Sequence, residues 1–317
     1  MLSLKLLLPL VAVSLTAINA LAYPTSTKFT KTFPRSARGD DIVNTPSGPI
    51  HSSNVHVVPH GSLIQHEAST VNVIAPNGTT IFSLPSNKAQ RGLNATQPRD
   101  SLARRALQSG YVELAFWGNT APSPISTFST LWSVPNVPEN VDGQLLYIFN
   151  ALEPQSFDGI LQPVLQFGVS PAGGGNYWSV ASWWLYGSDV FATPVTPVSV
   201  GQTLVGVMTL QSTSTSGGST SYNYNSVFTG IPASSLSITS PEELTITFEA
   251  LEIYGASGPT DLPRGRTTMR AIDIVNQDGS RPPVSWEVTA DTNERFSVNV
   301  VSNATPNGQV DLFYPLQ

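Results

Sequence analysis

The chemistry open to this chain is limited by the side chains that follow residue 105. Residues 106–317 contain no His, Cys or Lys, and their cations are five Arg. This composition excludes Ser-His-Asp and Cys-His catalysis, Schiff bases, His- or Cys-bound metals and P-loop phosphate binding, so we expect neither a cofactor nor a metal. The remaining catalytic groups are carboxyls, assisted by amides and hydroxyls. Such groups hydrolyse glycosides with two carboxyls, or peptides with carboxyl-activated water.

Two stretches of strand-forming residues carry such groups at alternating positions. In Leu161–Val169, Gln162 and Gln166 share the side opposite an apolar row. In Leu244–Tyr254, Glu249 lies on the side that also carries threonines. Because successive side chains of a strand point to opposite faces, we expect both polar rows to lie outside the buried core. Gln166 and Glu249 are therefore candidate catalytic residues.

Tryptophans concentrate in a run between these two stretches. Trp178, Trp183 and Trp184 all fall within Tyr177–Tyr186. Since Trp183 and Trp184 are adjacent, they point to opposite faces of a strand, and one of them is placed to contact a substrate. The three tryptophans and Gln162 are candidate substrate-binding residues.

The elements that must position these residues are short strands. From Ala106 onward helical periodicity is almost absent, and runs rich in β-branched and aromatic residues alternate with Gly, Pro, Asn and Ser. A dozen such runs without interleaved helices predict one all-β domain, an antiparallel β-sandwich or jelly roll over residues 106–317. The predicted strands are Val112–Trp117, Ser126–Val134, Gln144–Leu152, Val164–Val169, Tyr177–Tyr186, Thr203–Gln211, Thr220–Phe228, Leu244–Tyr254, Arg270–Val275, Val284–Val288, Phe296–Val301 and Val310–Tyr314.

The chain begins with the pattern of a secretory signal peptide. Met1–Ala22 has a basic start at Lys5, an apolar centre and the small-residue ending Ala20-Leu21-Ala22. The apolar run is shorter than the roughly 20 residues that span a membrane. We therefore expect signal peptide 1–22, an extracellular protein and no membrane partner.

Residues 23–105, called the leader below, have the composition of a propeptide. They are rich in Ser, Thr, Pro and Asn and end at Arg104-Arg105, a dibasic sequence of the kind that secretory processing proteases cut. We expect the leader to be mostly disordered and to be removed at that point. Sequons in the leader and beyond it predict N-linked glycans at Asn77, Asn94 and Asn303.

Charge differs sharply between the leader and the rest of the chain. The leader has nine Lys and Arg against four Asp and Glu, whereas residues 106–317 have five Arg against 17 acids. The two parts should attract each other near neutral pH and separate as carboxyls protonate below about pH 4. The leader is thus an expected partner of the body, while a net charge of −6 argues against nucleic acid.

An ordered series of short motifs resembles the glutamic peptidases, the eqolisin family of secreted fungal acid endopeptidases. The resemblance covers most of residues 106–317 and implies a concanavalin A-like sandwich that cleaves polypeptides. The matching segments are Thr130–Val137, similar to the family's T-V-P-x-V strand end; Val164–Val169, similar to its I-L-Q-x-G-V; Tyr177–Trp184; Val198–Leu204, similar to I-x-x-G-D-x-I; and Thr247–Glu252, where the family has A-E-W-I-V-E.

The resemblance implies roles for two residues. Glu249 would be the general base and acid, and Gln166 the amide that donates to the developing oxyanion. The chain also departs from the family: Tyr147 stands where the family's W-x-G-x-D tryptophan is expected, and Ala250 replaces the tryptophan after Glu249. These departures affect the expected activity more than the expected fold.

Three interpretations therefore remain open. The first is an acid endopeptidase made as a zymogen, with Glu252 as the alternative carboxyl if the register differs. The second is a non-catalytic secreted module that binds carbohydrate or supports a larger enzyme. The third is a glycosidase, which needs two carboxyls facing each other across a cleft.

Overall fold

The computed structural model describes residues 42–46, 48–86 and 109–316. The predicted signal peptide, the Arg104-Arg105 processing site and the Asn94 sequon lie outside these residues. In the described ranges, no helix has the length and hydropathy of a membrane span.

The described residues form strands joined by turns and short 3-10 segments at Ser52–Asn54, Pro259–Asp261 and Thr292–Glu294. The strands are β1 Ile42–Thr45, β2 Gly48–His51, β3 Val55–Val57, β4 Leu63–His66, β5 Thr70–Ile74, β6 Thr80–Pro85, β7 Ser109–Gly118, β8 Ile125–Ser133, β9 Leu145–Pro154, β10 Gly159–Ser170, β11 Gly173–Tyr186, β12 Asp189–Ala192, β13 Thr196–Pro197, β14 Thr203–Ser216, β15 Ser219–Phe228, β16 Ile231–Ser240, β17 Leu244–Tyr254, β18 Arg266–Asn276, β19 Glu287–Ala290, β20 Ser297–Ser302 and β21 Gly308–Phe313.

Two large sheets contain nearly all of these strands. The first sheet has the order β19-β7-β17-β9-β10-β11-β12-β3, with β13 paired to β11. The second has the order β20-β21-β18-β8-β14-β15-β16-β4-β5-β6. Strands β1 and β2 form a separate hairpin. Within residues 109–316 the strand pairs are antiparallel.

The two sheets pack face to face around one apolar core. Leu165 and Trp184 of the first sheet and Phe128 and Trp132 of the second belong to the same buried cluster, and all four are fully buried. Alternation of side chains along each strand supplies this inner layer from both sheets. The predicted all-β sandwich is confirmed.

The opposite face of the first sheet, called the outer face below, is also buried. A second apolar cluster there includes Phe149, Val164 and Trp183, and Ile50 of the β1–β2 hairpin packs against it. Because β9, β10 and β17 are covered on both sides, nearly every position along them is buried. Strands covered on both faces lack the solvent-facing polar row of an ordinary antiparallel strand.

Part of the leader is built into the sandwich, which corrects the expectation that the leader is mostly disordered. Strand β3 pairs in parallel with β12 at the edge of the first sheet, and β4 pairs in parallel with β16 in the second. Ile64, Val71 and Val73 of the leader are buried in the common core. The alternating apolar residues of β4 and β5 give these strands a core-facing side, which overrides the polar composition of the segment.

We expect the leader to contribute directly to folding stability. Ile64 is fully buried, whereas Ile81, in the same segment, is 44% exposed. Ile64→Ala should therefore lower the free energy of unfolding by about 2–5 kcal/mol, through lost burial and the cavity left behind. Ile81→Ala is the matched control and should change it by less than about 0.5 kcal/mol. Equal effects in urea titrations of the full chain would show that the leader strands do not share the core.

Candidate functional site

A row of polar side chains crosses five neighbouring strands on the outer face of the first sheet. Direct pairing in the ladders links β7 to β17, β17 to β9, β9 to β10 and β10 to β11. Directly paired residues of antiparallel strands point to the same face. The row, called the outer row below, consists of Tyr111, Glu252, Tyr147, Gln166 and Ser179.

The register brings two sequence candidates together, Gln166 and the alternative carboxyl Glu252. Both pair directly with Tyr147, from opposite sides of β9. With neighbouring strands about 4.8 Å apart, their backbones are separated by roughly 10 Å, with the phenol between them. Both residues are fully buried. A carboxyl, a phenol and an amide therefore lie side by side on one face.

Glu249 points the other way, which corrects its expected pairing with Gln166. It pairs directly with Asn150, whose Nδ2 donates to Gly206 O in the second sheet at 3.2 Å. Thr130 Oγ1, also in the second sheet, donates to Glu249 Oε1 at 2.5 Å. Glu249 thus lies between the sheets, on the face opposite Gln166. Both strands have a polar side, but that of β10 lies on the outer face whereas the side of β17 that carries Glu249 faces the second sheet.

The surroundings of Glu249 favour its neutral form. Burial raises the pKa of the Glu249 carboxyl well above its ordinary value, and the hydrogen bond from Thr130 offsets only part of that shift. Glu249 Oε2 has no hydrogen-bond partner among the described residues. A carboxyl in this setting is stable when protonated and costly to ionise.

Gln166 holds the turn that follows its own strand. Its Nε2 donates to Gly168 O at 2.8 Å and to Gly173 O at 2.9 Å, and its Oε1 accepts from Ser170 Oγ at 2.8 Å. Gly174 makes this approach possible: its φ is +111°, and a Cβ there would lie 2.5 Å from Gln166 Nε2. Both amide N–H groups are therefore used on backbone carbonyls.

Two phenols flank Glu252. Tyr254 Oη donates to Glu252 Oε2 at 3.0 Å. The ring of Tyr147 packs edge-on against that of Tyr254, with centroids 6.1 Å apart. Burial raises the pKa of Tyr147 well above its ordinary value, and the charge of Glu252 raises it further. Tyr147 is consequently a neutral donor throughout the acidic and neutral range.

The hairpin of the leader covers this part of the outer face. Tyr147 Oη donates to Asn44 O at 3.1 Å, and Gln162 Nε2 donates to Pro46 O at 3.2 Å. In both hydrogen bonds the acceptor is a backbone carbonyl of the leader. Gln162, Gln166 and Glu249 are all fully buried, so the expectation that both polar rows lie outside the buried core is wrong for the full chain.

The tryptophans are divided between the two faces, as their spacing predicts. Trp183 lies on the outer face, with its ring edge-on to Tyr147 at 6.2 Å. Trp178 and Trp184 lie in the core between the sheets, where Trp184 Nε1 donates to His66 Nε2 of the leader at 2.8 Å. All three are buried, so Trp183 is the one placed near the outer row.

Some polar atoms near the outer row lack partners. Ser179 Oγ, Trp183 Nε1 and Gln162 Oε1 are buried and make no hydrogen bond within the part of the chain that the structure describes. Buried polar atoms of this kind are costly unless something binds them, and they are typical of binding and catalytic sites. Other buried atoms without a partner among the described residues, such as Glu249 Oε2 and Trp132 Nε1, lie between the sheets, so these atoms do not by themselves distinguish the outer face.

The remaining sequence candidates lie away from this face or are not involved in it. Asn77 and Asn303 are exposed, as glycan acceptors must be. Among residues 42–46, 48–86 and 109–316, no group of three or more His, Asp or Glu side chains is arranged to hold a metal ion.

Sequence reasoning missed four residues of the site: Tyr111, Tyr147, Ser179 and Tyr254. The position of Tyr147 was noted only as a departure from a family motif. The available signal was parity, because Tyr147 and Tyr254 lie on the same side of their strands as Phe149 and Glu252, respectively. Their convergence depends on strand register, which the sequence alone does not specify.

Comparisons with known proteins give only distant neighbours. No protein-family model matches the sequence, and no curated protein does. Two crystal structures of Scytalido-glutamic peptidase with transition-state analogues match at 13% and 14% identity and TM-scores of 0.43 and 0.41, each covering 65% of this chain and 98% of that chain. SCP-B, an eqolisin peptidase in complex with the tripeptide Ala-Ile-His, matches at 14% identity and a TM-score of 0.37, with the same coverage. These likenesses assign neither an activity nor a site residue to this chain.

The buried Glu249 should make stability depend on pH. Because its pKa is higher in the folded than in the unfolded chain, folding retains a proton, and stability is lost as pH rises above about 4.5 toward the folded-state pKa. Glu249→Gln keeps the shape of the side chain but removes its titratable carboxyl. The unfolding free energy of this variant should therefore fall less between about pH 4 and 7 than that of the wild type. Glu287→Gln, at an exposed position, is the control. Identical pH profiles for wild type and Glu249→Gln in urea unfolding would contradict this assignment.

Proposed function

We propose that this protein is a secreted acid peptidase made as a precursor, with Glu252 as the carboxyl that activates water. The observation that carries the proposal is the outer row, in which Glu252 lies beside Tyr147 on a face already bound to polypeptide backbone. Two leader carbonyls are held there by Tyr147 and Gln162. The motif series that resembles the glutamic peptidases supports the same reaction class.

The choice of Glu252 over Glu249 follows from where each carboxyl points. A general base must reach the water that attacks the substrate, directly or through one other water. Glu249 lies between the sheets and accepts from Thr130 of the second sheet. Glu252 lies on the face that the leader hairpin covers, so release of the hairpin would give a substrate access to it.

A non-catalytic secreted module is the second candidate. It is favoured by Glu249, packed between the sheets, and by Gln166, whose two amide N–H groups both bind turn carbonyls. Such a module would use the outer face to bind a partner polypeptide without cleaving it. A carbohydrate-binding version has less support, because Trp178, Trp183 and Trp184 are buried in the full chain.

A glycosidase has the least support. Glu153 is a second carboxyl on the outer face of β9, but it lies six positions along the strand from Tyr147. At about 3.4 Å per residue it is roughly 20 Å from the outer row. Paired glycosidase carboxyls are about 5–9.5 Å apart.

The proposal predicts cleavage of acid-denatured protein at about pH 3, within the range in which carboxyls titrate. The secreted full-length protein would first be incubated at that pH, and the products followed by gel electrophoresis and mass spectrometry. Glu252→Gln should abolish cleavage, because an amide cannot take a proton from water. Glu249→Gln, a matched substitution three residues away, should cleave at a rate within a few-fold of wild type.

Two results would overturn the proposal. One is a protein that stays folded after the acid incubation, with the hairpin at residues 42–51 released, and cleaves no peptide bond between about pH 2 and 6, the range in which carboxyls titrate; this would favour the non-catalytic module. The other is loss of cleavage in Glu249→Gln with full activity in Glu252→Gln, which would return the catalytic role to Glu249. An inhibitor of aspartic peptidases should have no effect on the wild type.

A further inference from the structure

The leader hairpin contacts the outer face through its main chain, in strand β1 and in the turn that follows it. Asn44 and Pro46, whose carbonyls are bound by Tyr147 and Gln162, are two residues apart. The donors contact main-chain oxygens, which every polypeptide has. Recognition through the main chain fixes register while tolerating many side chains.

The two donors differ in what lies beside them. Tyr147 pairs directly with Glu252, and the Cβ atoms of such a pair are about 5 Å apart. Gln162 lies four residues from Gln166 along β10, so it is roughly 13 Å from the outer row. A carbonyl held by Tyr147 is therefore the one nearest to a water activated by Glu252.

Resting on the proposed function, we infer that Tyr147 is a catalytic residue that binds the scissile carbonyl, and that leader residues 44–46 occupy the substrate groove in the precursor. Tyr147 thereby takes the part that the family resemblance gives to Gln166. Gln166 becomes a positioning residue, because its amide fixes the turn between β10 and β11 through Gly168 O and Gly173 O.

The environment of Tyr147 suits this role. The phenol stays protonated at the pH of the reaction, since burial holds its pKa well above the ordinary value. Its ring is fixed between Tyr254 and Trp183. A neutral donor held in place before the reaction stabilises a developing oxyanion without reorganising.

The reaction balances with these two groups and one water. Glu252 as carboxylate takes a proton from water, whose oxygen bonds to the carbonyl carbon as the π electrons move to the carbonyl oxygen. Tyr147 donates a hydrogen bond to that oxyanion and keeps its proton. Glu252 then gives its proton to the amide nitrogen, the C–N bond breaks, and a carboxylic acid and an amine leave.

Hydrogen–deuterium exchange of the precursor tests the groove without requiring activity. Tyr147→Phe and Gln162→Ala each remove one bond to the leader, so both should raise exchange of residues 42–51 several-fold while β14 in the second sheet keeps its protection. Tyr177→Phe, at a residue 43% exposed on the same sheet, is the matched control and should leave exchange unchanged. Unchanged exchange in both Tyr147→Phe and Gln162→Ala would overturn the groove assignment.

Kinetics of the acid-incubated full-length protein test the catalytic role. Tyr147→Phe should lower kcat by about 100-fold or more, with a smaller change in KM, as for loss of an oxyanion donor. If the wild type is active and Tyr147→Phe is equally active, the inference is wrong and the proposed function stands. If the wild type cleaves nothing, the proposed function fails with the catalytic role, and the exchange experiment alone decides whether the face binds polypeptide.

Discussion

The alternation of side chains along β17 is the constraint on which this site depends. Positions 249 and 252 are three positions apart, an odd offset, so in a regular strand they point to opposite faces. The continuous pairing of β17 with β9 from Ile246 to Tyr254 keeps that alternation intact. One carboxyl is thereby committed to the space between the sheets and the other to the outer face. The position of each carboxyl relative to Gln166 follows from this register.

Glu249 and Glu252 are buried in different surroundings, and these surroundings give the two carboxyls different roles. Between the sheets, Glu249 has Thr130 as a hydrogen-bond partner and is stable when neutral. Ionisation of this carboxyl therefore makes folding stability depend on pH. On the outer face, Glu252 lies among phenols beneath the leader hairpin. A carboxyl that must work as a base needs access to water, which we propose that release of the hairpin provides. The same sheet thus carries a structural carboxyl and a candidate catalytic one.

The sequence was sufficient to predict the fold class but not the site. Alternation, Gly and Pro spacing and the absence of helical periodicity predicted an all-β sandwich, because these signals are local. The opposite orientations of Trp183 and Trp184 followed from parity alone. Parity alone could not predict that Gln166 and Glu249 lie on opposite faces of the sheet. That arrangement depends on how β9 pairs with both neighbouring strands, which is a long-range property.

The leader was misjudged for a related reason. Its overall composition is polar, and that average concealed the short apolar alternation of Thr70–Ile74, of which Val71 and Val73 reach the core. Strand β16 pairs with β4, and β5 in turn pairs with β4. Likewise the phenol at position 147 looked like a lost tryptophan in the sequence, and its significance came from the carboxyl and amide that the register places on either side.

Thiol labelling tests most directly whether the outer row is a face that the leader covers, and the chain's lack of any cysteine makes single thiols unambiguous to read. A thiol introduced by Glu252→Cys should be protected from a maleimide in the precursor. It should react rapidly once the hairpin at residues 42–51 has been cut off and released at acid pH and the protein returned to about pH 6.5, where maleimide attack by the thiolate fraction can be followed. A thiol introduced by Glu249→Cys should stay protected in both forms. The account would be contradicted if the thiol at 252 remained unreactive after release of the hairpin, or if the thiol at 249 became the reactive one.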